Sequence, residues 1–269
     1  MGRTPSRPRK VARSEAKSTV TKIAAGASRS KAVRSAQPRV MSTAGGRPTE
    51  ADAPSPSQLT YHHENLADQL LDAALEIVRT KGAHAVSLRE VARRAGVSHM
   101  APYRHFKDKE ALLAGVAERG FRKLTAILET AFDDQNAELK FDRAFHFLGE
   151  QYVQFVLTNK ETAQIMFGGF VDDLKCYPAA HEAGDRAFDQ LLRMIRIGQA
   201  QGYFDASIDA EGLGVMIWSQ VHGFSMLLAE NQFGFLDVAQ REVFLSEMQK
   251  LMTYTFMRGL APQRDPALR

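Results

Sequence analysis

The stretch Ser87–Lys109, SLREVARRAGVSHMAPYRHFKDK, decides the fold. Glu90 follows Ser87 by three residues, the spacing of a capping box, so a helix is expected to begin directly after Ser87. Small apolar residues share one face of this helix, which favours close contact with another helix. Gly96 ends the helix, and Ser98 can cap a second short one. Two short helices joined by a tight turn containing Gly describe a helix-turn-helix.

The second helix of this motif is predicted to contact DNA. Pro102 and Phe106 are four residues apart and share a face, which we assign to the core. The opposite face can then enter a major groove, where basic side chains read guanine, an apolar side chain contacts a thymine methyl and a phenol binds phosphate. Asp108 can cap the next helix, whose first residue, Lys109, is placed to attract a phosphate. The predicted DNA-binding residues are Ser87, Arg89, Ser98, His99, Met100, Tyr103, Arg104, His105 and Lys109.

Spacing alone leaves open that the helix-turn-helix does not bind DNA and has only a structural role, as in many all-α proteins. The stretch also resembles, in order and without a gap over residues 66–117, the DNA-binding domain of the TetR family of transcriptional regulators. The matching positions are Gly82, Ser87-Leu88, Val91-Ala92, Ala95–Ser98, Tyr103, His105-Phe106 and Lys109–Leu113. The resemblance implies a homodimer that places two recognition helices about 34 Å apart on a palindromic operator in double-stranded DNA.

One position departs from the family pattern. Many members carry a small residue and then Leu before the tyrosine, whereas this chain has Ala101-Pro102. If Ser98 caps the helix, Pro102 is its fourth residue, just past the positions where a missing N–H costs nothing. Proline also disfavours helical geometry at the residue before it. We therefore expect a tight or slightly displaced first turn.

The first 57 residues form a basic tail. They hold twelve Lys or Arg residues against three acidic ones, a charge of +9; since the whole chain carries +4, the remainder carries −5. The tail has no aromatic residue, so it cannot bury enough apolar surface and is expected to be disordered. It can act as an arm that adds salt-sensitive attraction to phosphates. The alternatives are a targeting peptide, an inert extension, or a true start of synthesis at Met41.

After the tail the apolar residues recur at helical spacing, and no segment shows the alternation of a strand. The class is therefore all-α, with a three-helix helix-turn-helix DNA-binding domain at 58–117, a helical ligand-binding and dimerisation domain at 118–260 and a flexible C-terminus at 261–269. Besides the two helices of the motif, helices are predicted at Leu66–Lys81, Glu110–Phe132, Phe141–Thr158, Glu161–Phe170, Pro178–Gln201, Ala210–Glu230 and Val238–Arg258.

The region after Lys140 is rich in aromatic residues and Met. Each can be explained by the core, but together they suit an adaptable cavity for an apolar or aromatic small-molecule effector. Trp218 and His222 share one helical face, and Gly223 permits a close backbone approach. Their sequence, WSQVHG, resembles the Trp-His-Gly element of one class of TetR-family C-terminal domains. The predicted ligand-binding residues are Phe145, Tyr152, Phe155, Phe167, Met194, Trp218 and His222.

The last two helices carry apolar residues on more than one face, which indicates that each also packs against another subunit. No phosphate-binding loop, nucleophile elbow or metal-ligand spacing is present, so we expect no enzyme, no catalytic residue, no metal and no cofactor. The single cysteine, Cys176, excludes an internal disulfide and fits a reducing cytoplasm. No apolar run approaches the length of a membrane span. A cytoplasmic, nucleoid-associated protein without membrane contact is expected.

The sequence thus predicts a ligand-responsive transcriptional regulator, a repressor that a small molecule releases from its operator. Two alternatives stay open. One is a sequence-tolerant nucleic-acid binder driven by the basic tail. The other is a helical small-molecule-binding or interaction protein.

Overall fold

The computed structural model describes residues 56–132 and 140–262, which form helices and turns and contain no strand. The all-α class is therefore confirmed. The predicted basic tail lies outside the described residues except for its last two, which open the first helix, and the predicted C-terminus lies outside them from residue 263 onward. The α-helices are α1 Pro56–Lys81, α2 Leu88–Arg94, α3 Lys109–Glu129, α4 Phe141–Thr158, α5 Lys160–Phe167, α6 Pro178–Ala200, α7 Ala210–Ala229 and α8 Val238–Gly259.

The first two helices and the beginning of α3 enclose a small core. Its fully buried side chains include Leu70 and Ile77 of α1, Val91 of α2 and Leu112 of α3. At the end of α1 the N–H of Gly82 donates to the Val78 carbonyl at 2.8 Å, and a φ of +80° turns the chain towards α2. That left-handed backbone is the reason a glycine suits this position. These elements form the helix-turn-helix unit.

Helix α3 joins this unit to the rest of the molecule, because it packs against α1 as well as α5 and α6. Its buried residues run from Leu112 near its beginning to Leu128 near its end. At Gly120 the approach to α5 is so close that a Cβ atom would lie 2.5 Å from the Met166 sulfur. A movement of α5 or α6 would therefore be passed directly to α3, since packed interiors transmit displacement.

A cluster of aromatic rings holds the far end of the body together. Phe204, in the connection between α6 and α7, is fully buried, and its ring lies 5.4 Å from Phe141 and 5.5 Å from Phe145 of α4. Phe256 of α8 lies 6.2 Å from Phe145. The edge-to-face geometry of these pairs is the arrangement that aromatic rings prefer. Both α7 and α8 also pack along α4.

Most predicted helix bounds agree with the structure to within two residues, and three do not. Helix α3 ends at Glu129, three residues before the predicted end, and the chain continues as a 3₁₀ helix at Thr130–Phe132. Helix α1 begins at Pro56, ten residues before the predicted start. Helix α5 ends at Phe167, three residues early, because Gly169 adopts a φ of +71° and turns the chain. The chain then forms a 3₁₀ helix at Leu174–Cys176, which the sequence did not predict; the Asp173 carboxylate accepts from the Lys175 N–H at 3.0 Å and caps it.

The expectation that no segment is apolar enough to span a bilayer is wrong by length and composition. Helix α7 has 20 residues and is long and apolar enough to cross a membrane. Only 28% of its most apolar stretch is buried inside the described structure. A single helix of this length and composition is weak evidence for a membrane span. The exposed apolar surface of α7 nevertheless needs a partner of some kind.

Candidate functional site

Helix α2 begins directly after Ser87, as the sequence predicts. The Ser87 hydroxyl accepts from the Glu90 N–H at 3.2 Å and caps α2. The reciprocal half of the capping box is absent, because the Glu90 carboxylate binds Lys81 and Arg93 instead. These two cations hold the pKa of Glu90 at about 2, with the hydrogen bond from Arg93 as the larger cause. Gly96, with a φ of +70°, then ends the helix.

No α-helix begins at Ser98, so that prediction is wrong. The chain makes a turn in which the Ala101 N–H donates to the Ser98 carbonyl at 3.0 Å, followed by a 3₁₀ helix at Pro102–Arg104. Pro102 has no N–H to complete an α-helical bond to Ser98, which explains the tighter winding. The displaced first turn expected from Ala101-Pro102 is therefore present.

Four side chains of this segment point to solvent, and we call them the recognition surface: His99, Met100, Tyr103 and Arg104. Met100 is 68% exposed and Tyr103 52%, which is unusual for side chains of their size. Pro102 is buried and Phe106 packs against the core, as predicted. The structure thus exposes an apolar, an aromatic and a basic side chain within six residues of the chain.

The other predicted DNA-binding residues lie around this surface and differ in how far their side chains are exposed. Ser98 is exposed, and Arg89 is exposed and borders a shallow depression that Ser87 and His99 also line. His105 is half-buried with its ring 6.3 Å from that of Phe106, so it faces the core side. The DNA-binding role of all these residues stays a prediction.

Lys109 is partly engaged within the protein. Asp108 caps α3 as predicted, accepting from the Ala111 N–H at 2.8 Å. The Lys109 ammonium, however, donates to the carbonyls of Ala83 and His84, both at 3.3 Å, and burial lowers its pKa. An ammonium has three hydrogens, so one remains for a phosphate while the other two connect α3 to the 3₁₀ helix Ala83–Ala85 that follows α1.

A cavity of about 860 Å³ lies inside the helical body. This volume is within the range of small-molecule sites. Helices α3 to α8 all contribute to its wall, and so does the connection between α5 and α6. Among the predicted ligand-binding residues, those that line the cavity are Phe145, Tyr152, Phe167, Trp218 and His222.

Two predicted ligand contacts, Phe155 and Met194, do not line the cavity. Phe155 is 1% exposed and Met194 2%, and both pack in the core. Each helix here has apolar residues on several sides, so composition could not say which side faces the cavity.

Many other wall residues were not predicted, among them the polar residues His146 of α4 and Gln249 of α8. His146 lies between Phe145 and Phe147, and Gln249 lies one helical turn from Leu245 and from Met252. Each is thus a polar residue among apolar neighbours, a signal that the sequence did contain.

A chain of hydrogen bonds crosses one side of the cavity. The Trp218 indole N–H donates to the Tyr152 hydroxyl oxygen at 3.0 Å, and that hydroxyl lies 2.8 Å from His222 Nδ1. Burial raises the pKa of Tyr152, so the phenol keeps its proton, and burial lowers the pKa of His222, which favours neutral imidazole. The Phe167 ring covers this group, with its centroid 4.6 Å from that of His222.

No other part of the backbone approaches Gly223 closely, contrary to expectation. A Cβ atom placed there would meet nothing within 4 Å, and the same is true at Gly149 of α4. Both glycines line the cavity. The absence of a side chain at these positions therefore leaves room in the cavity.

The segment Gly168–Tyr177, which we call the coupling segment, lies between the cavity and the helix-turn-helix unit. Five of its residues line the cavity. On its other side the Phe170 ring lies 5.4 Å from that of His84, and the Asp172 N–H donates to the Glu110 carboxylate at 3.1 Å. The Lys107 ammonium lies 5.0 Å from the Tyr177 ring centroid. The segment thus contacts both functional regions directly.

Known proteins match this chain in both regions. Residues 70–116 match the family model described as bacterial regulatory proteins, tetR family, and residues 145–251 match a model described as tetracyclin repressor-like, C-terminal domain. The uncharacterized HTH-type transcriptional regulator YobS of Bacillus subtilis is 28% identical over 195 residues, covering 71% of this chain and 90% of that protein.

Solved structures share the fold. A protein of unknown function from Rhodococcus sp. RHA1 is 34% identical, with a TM-score of 0.62, covering 75% of this chain and 98% of that one. The TetR family transcriptional regulator PfmR from Thermus thermophilus is 21% identical, with a TM-score of 0.55, covering 73% of this chain and 100% of that one.

Proposed function

The chain belongs to the TetR family of bacterial regulatory proteins, and from that premise we propose that it is a repressor. It binds a palindromic operator as a homodimer and leaves the DNA when a small molecule enters the cavity. That it is a DNA-binding transcriptional regulator and not an enzyme follows from the family. We assign DNA binding to residues 58–117 and ligand binding with dimerisation to residues 118–260. Like other regulators of its family it works in the cytoplasm, and we propose that it resides on the nucleoid.

The recognition surface supports base reading. Met100 offers apolar contact to a thymine methyl, Arg104 offers donors for guanine or phosphate, and Tyr103 offers a hydroxyl for phosphate. Two neighbouring cations are already paired, since Arg93 binds Glu90 and Arg94 binds Glu76. Arg104 takes part in none of these pairs, so it can contact DNA without first breaking an ion pair.

The exposed apolar residues of α7 and α8 support a homodimer. In α7, Met216 is 38% exposed and Leu227 47%; in α8, Val243 is 65% exposed and Tyr254 58%. Each pair is eleven residues apart, close to three helical turns, so each forms one stripe along its helix. Two apolar stripes that a single chain leaves uncovered fit a four-helix interface with a second copy.

The contacts of the coupling segment support the proposal that a ligand releases the protein from DNA. Within its ten residues, this segment both lines the cavity and contacts His84, Lys107 and Glu110. A ligand that displaces the segment therefore also displaces the helix-turn-helix unit. Control requires only that the ligand bind the two conformations with different affinity. In a dimer, a small rotation of each unit changes the separation of the two recognition surfaces.

The affinity of the full chain for two duplexes tests the proposal. We expect the DNA flanking its own gene to bind at least about 1,000-fold more tightly than a random duplex at physiological salt, the usual ratio for specific regulators. Fluorescence anisotropy measures both constants. Equal affinity for the two duplexes would contradict specific regulation.

Removal of residues 1–55 separates the proposal from binding driven by the basic tail. The truncated chain should keep its preference for the specific duplex and lose mainly salt-dependent affinity, because contacts with phosphates are independent of base sequence. Loss of nearly all DNA binding together with the tail would support the sequence-tolerant binder instead.

A further inference from the structure

Three aromatic rings in the cavity wall keep part of their surface accessible. Phe167, Phe188 and Trp218 all line the cavity and are only half-buried. The ring centroids of Phe167 and Phe188 lie 5.8 Å and 6.4 Å from that of Trp218, so the three rings form one surface, which we call the aromatic patch. A molecule inside the cavity can therefore lie directly against these rings.

The faces of aromatic rings attract positive charge, because their π electrons make them negative. Elsewhere the protein supplies such a cation itself, since the Arg193 guanidinium lies 3.9 Å from the Phe132 ring centroid. No described Lys or Arg lines the cavity. His222, whose ring centroid lies 5.5 Å from that of Trp218, adds no charge either, because burial lowers its pKa. The aromatic patch thus faces the cavity without a cation of the protein.

The charged groups of the cavity wall are carboxylates. Glu150, Asp172 and Asp185 line it, and the described part of the chain offers no cationic side chain against them. Two histidines of the wall lie beside these groups, His146 at 3.2 Å from Glu150 and His181 at 3.7 Å from Asp185. Imidazole is neutral above neutral pH, so the wall then carries net negative charge. Such a cavity concentrates cations and repels anions.

Asp185 and the aromatic patch are neighbours on α6. Asp185 precedes Phe188 by three residues, so their side chains lie on one face of the helix, one turn apart. Both line the cavity, which shows that this face is the one turned towards it. The side chain of Asp185 is 68% exposed, so its charge stays hydrated at the mouth of the cavity. Much of the remaining wall is apolar and includes Leu124, Leu128, Leu148 and Ile165.

We therefore propose that the cavity takes a lipophilic cation, an amine or quaternary ammonium whose apolar part fills the interior and whose charged group lies between Asp185 and the aromatic patch. An anion would be repelled and would find no cation to pair with. An uncharged molecule would gain the apolar contacts alone. Because Asp185 is largely exposed, water screens its charge, and we expect its contribution to affinity to be several-fold.

This inference deepens the proposed function and rests on it for the role of the ligand as effector. It can be tested on the free full-length protein without DNA. The chain has one tryptophan, Trp218, which lines the cavity, so its fluorescence reports occupancy of this site. The probes are dodecyltrimethylammonium, 1-dodecanol and dodecanoate, which share a chain length and differ in charge. Measurement at pH 8 keeps the histidines neutral.

We expect dodecyltrimethylammonium to change Trp218 emission and to bind about threefold more tightly than 1-dodecanol and at least about tenfold more tightly than dodecanoate. Asp185→Asn keeps the shape of the side chain but removes its charge. It should weaken binding of the ammonium about three- to fivefold and leave binding of the alcohol unchanged. Phe188→Leu removes a ring face and should weaken the ammonium about two- to fivefold relative to the alcohol.

Two further variants are controls. Asp189→Asn removes an exposed carboxylate one turn further along α6 that does not line the cavity, and it should leave all three affinities as they are. Gly149→Leu places a side chain in open space at the cavity wall, and it should block all three probes while the protein stays folded by circular dichroism.

Three results would overturn the inference: no binding of the ammonium, an alcohol or carboxylate probe that binds as tightly as the ammonium, or equal effects of Asp185→Asn and Asp189→Asn. If the ammonium binds as expected but leaves DNA affinity unchanged, the ligand class stands and the release mechanism of the proposed function fails.

Discussion

Leu251→Glu is expected to convert the protein from a dimer into a monomer and to abolish tight operator binding. Leu251 is 53% exposed on α8, within the apolar surface formed by Val243 and Tyr254. Burial of one such side chain contributes about 1.5–3 kcal/mol, and two-fold symmetry doubles the loss. A buried Glu adds an unpaired charge on each subunit. The dimer dissociation constant should therefore rise at least about 1,000-fold.

Light scattering after gel filtration measures the change directly. The wild type should have twice the chain mass of 29.9 kDa, and Leu251→Glu should have that mass itself. Ala200→Glu adds the same charge at an exposed position at the end of α6 and should remain a dimer with normal operator affinity. A Leu251→Glu protein that stays dimeric would place the subunit interface elsewhere.

Tyr103→Ala and Arg104→Ala are each expected to weaken operator binding about 100-fold without a change in stability. Both side chains are exposed, so their loss leaves no cavity. A good contact with a base or phosphate is worth about 1–3 kcal/mol, and a dimer loses it twice. If Arg104 binds phosphate, its removal should also lower the salt dependence by about one unit per contact.

The matched control is Arg196→Ala, which removes an exposed cation from α6 and should leave DNA affinity unchanged. Lys109→Ala is a poorer test, because it also removes two hydrogen bonds to the carbonyls of Ala83 and His84. Met100→Ala should change the preferred base at one position of each half-site and leave the salt dependence as it is. Wild-type affinity in both Tyr103→Ala and Arg104→Ala would exclude the recognition surface as the DNA contact.

Local signals in the sequence predicted most helices, because the beginning and end of a helix depend on residues that are close together in the chain. The cap at Ser87, the cap at Asp108 and the turn at Gly96 each need only a few adjacent positions, and all three are present. Pro102 gave a partial signal: its missing N–H predicted a disturbed turn, but not that the α-helix would be replaced by a turn and a 3₁₀ helix at Pro102–Arg104.

The cavity wall was less predictable because it depends on how distant helices face each other. Trp218 and His222 could be placed on one face by their spacing, but their partner Tyr152 lies 66 residues before Trp218 in the chain. Phe155 and Met194 were assigned to the wall by residue type and pack in the core instead. Gln249 was overlooked, although a polar residue inside an apolar stripe is the kind of position where a ligand contact occurs.

Selection of duplexes from a random pool by the full-length protein tests the central claim most directly, because that claim is that two recognition surfaces read DNA as a symmetric pair. The account predicts an enriched inverted repeat whose half-sites are about 10 base pairs apart or a multiple of that distance, and its loss in Arg104→Ala. Failure to enrich any sequence, or enrichment of a single site without two-fold symmetry, would contradict it.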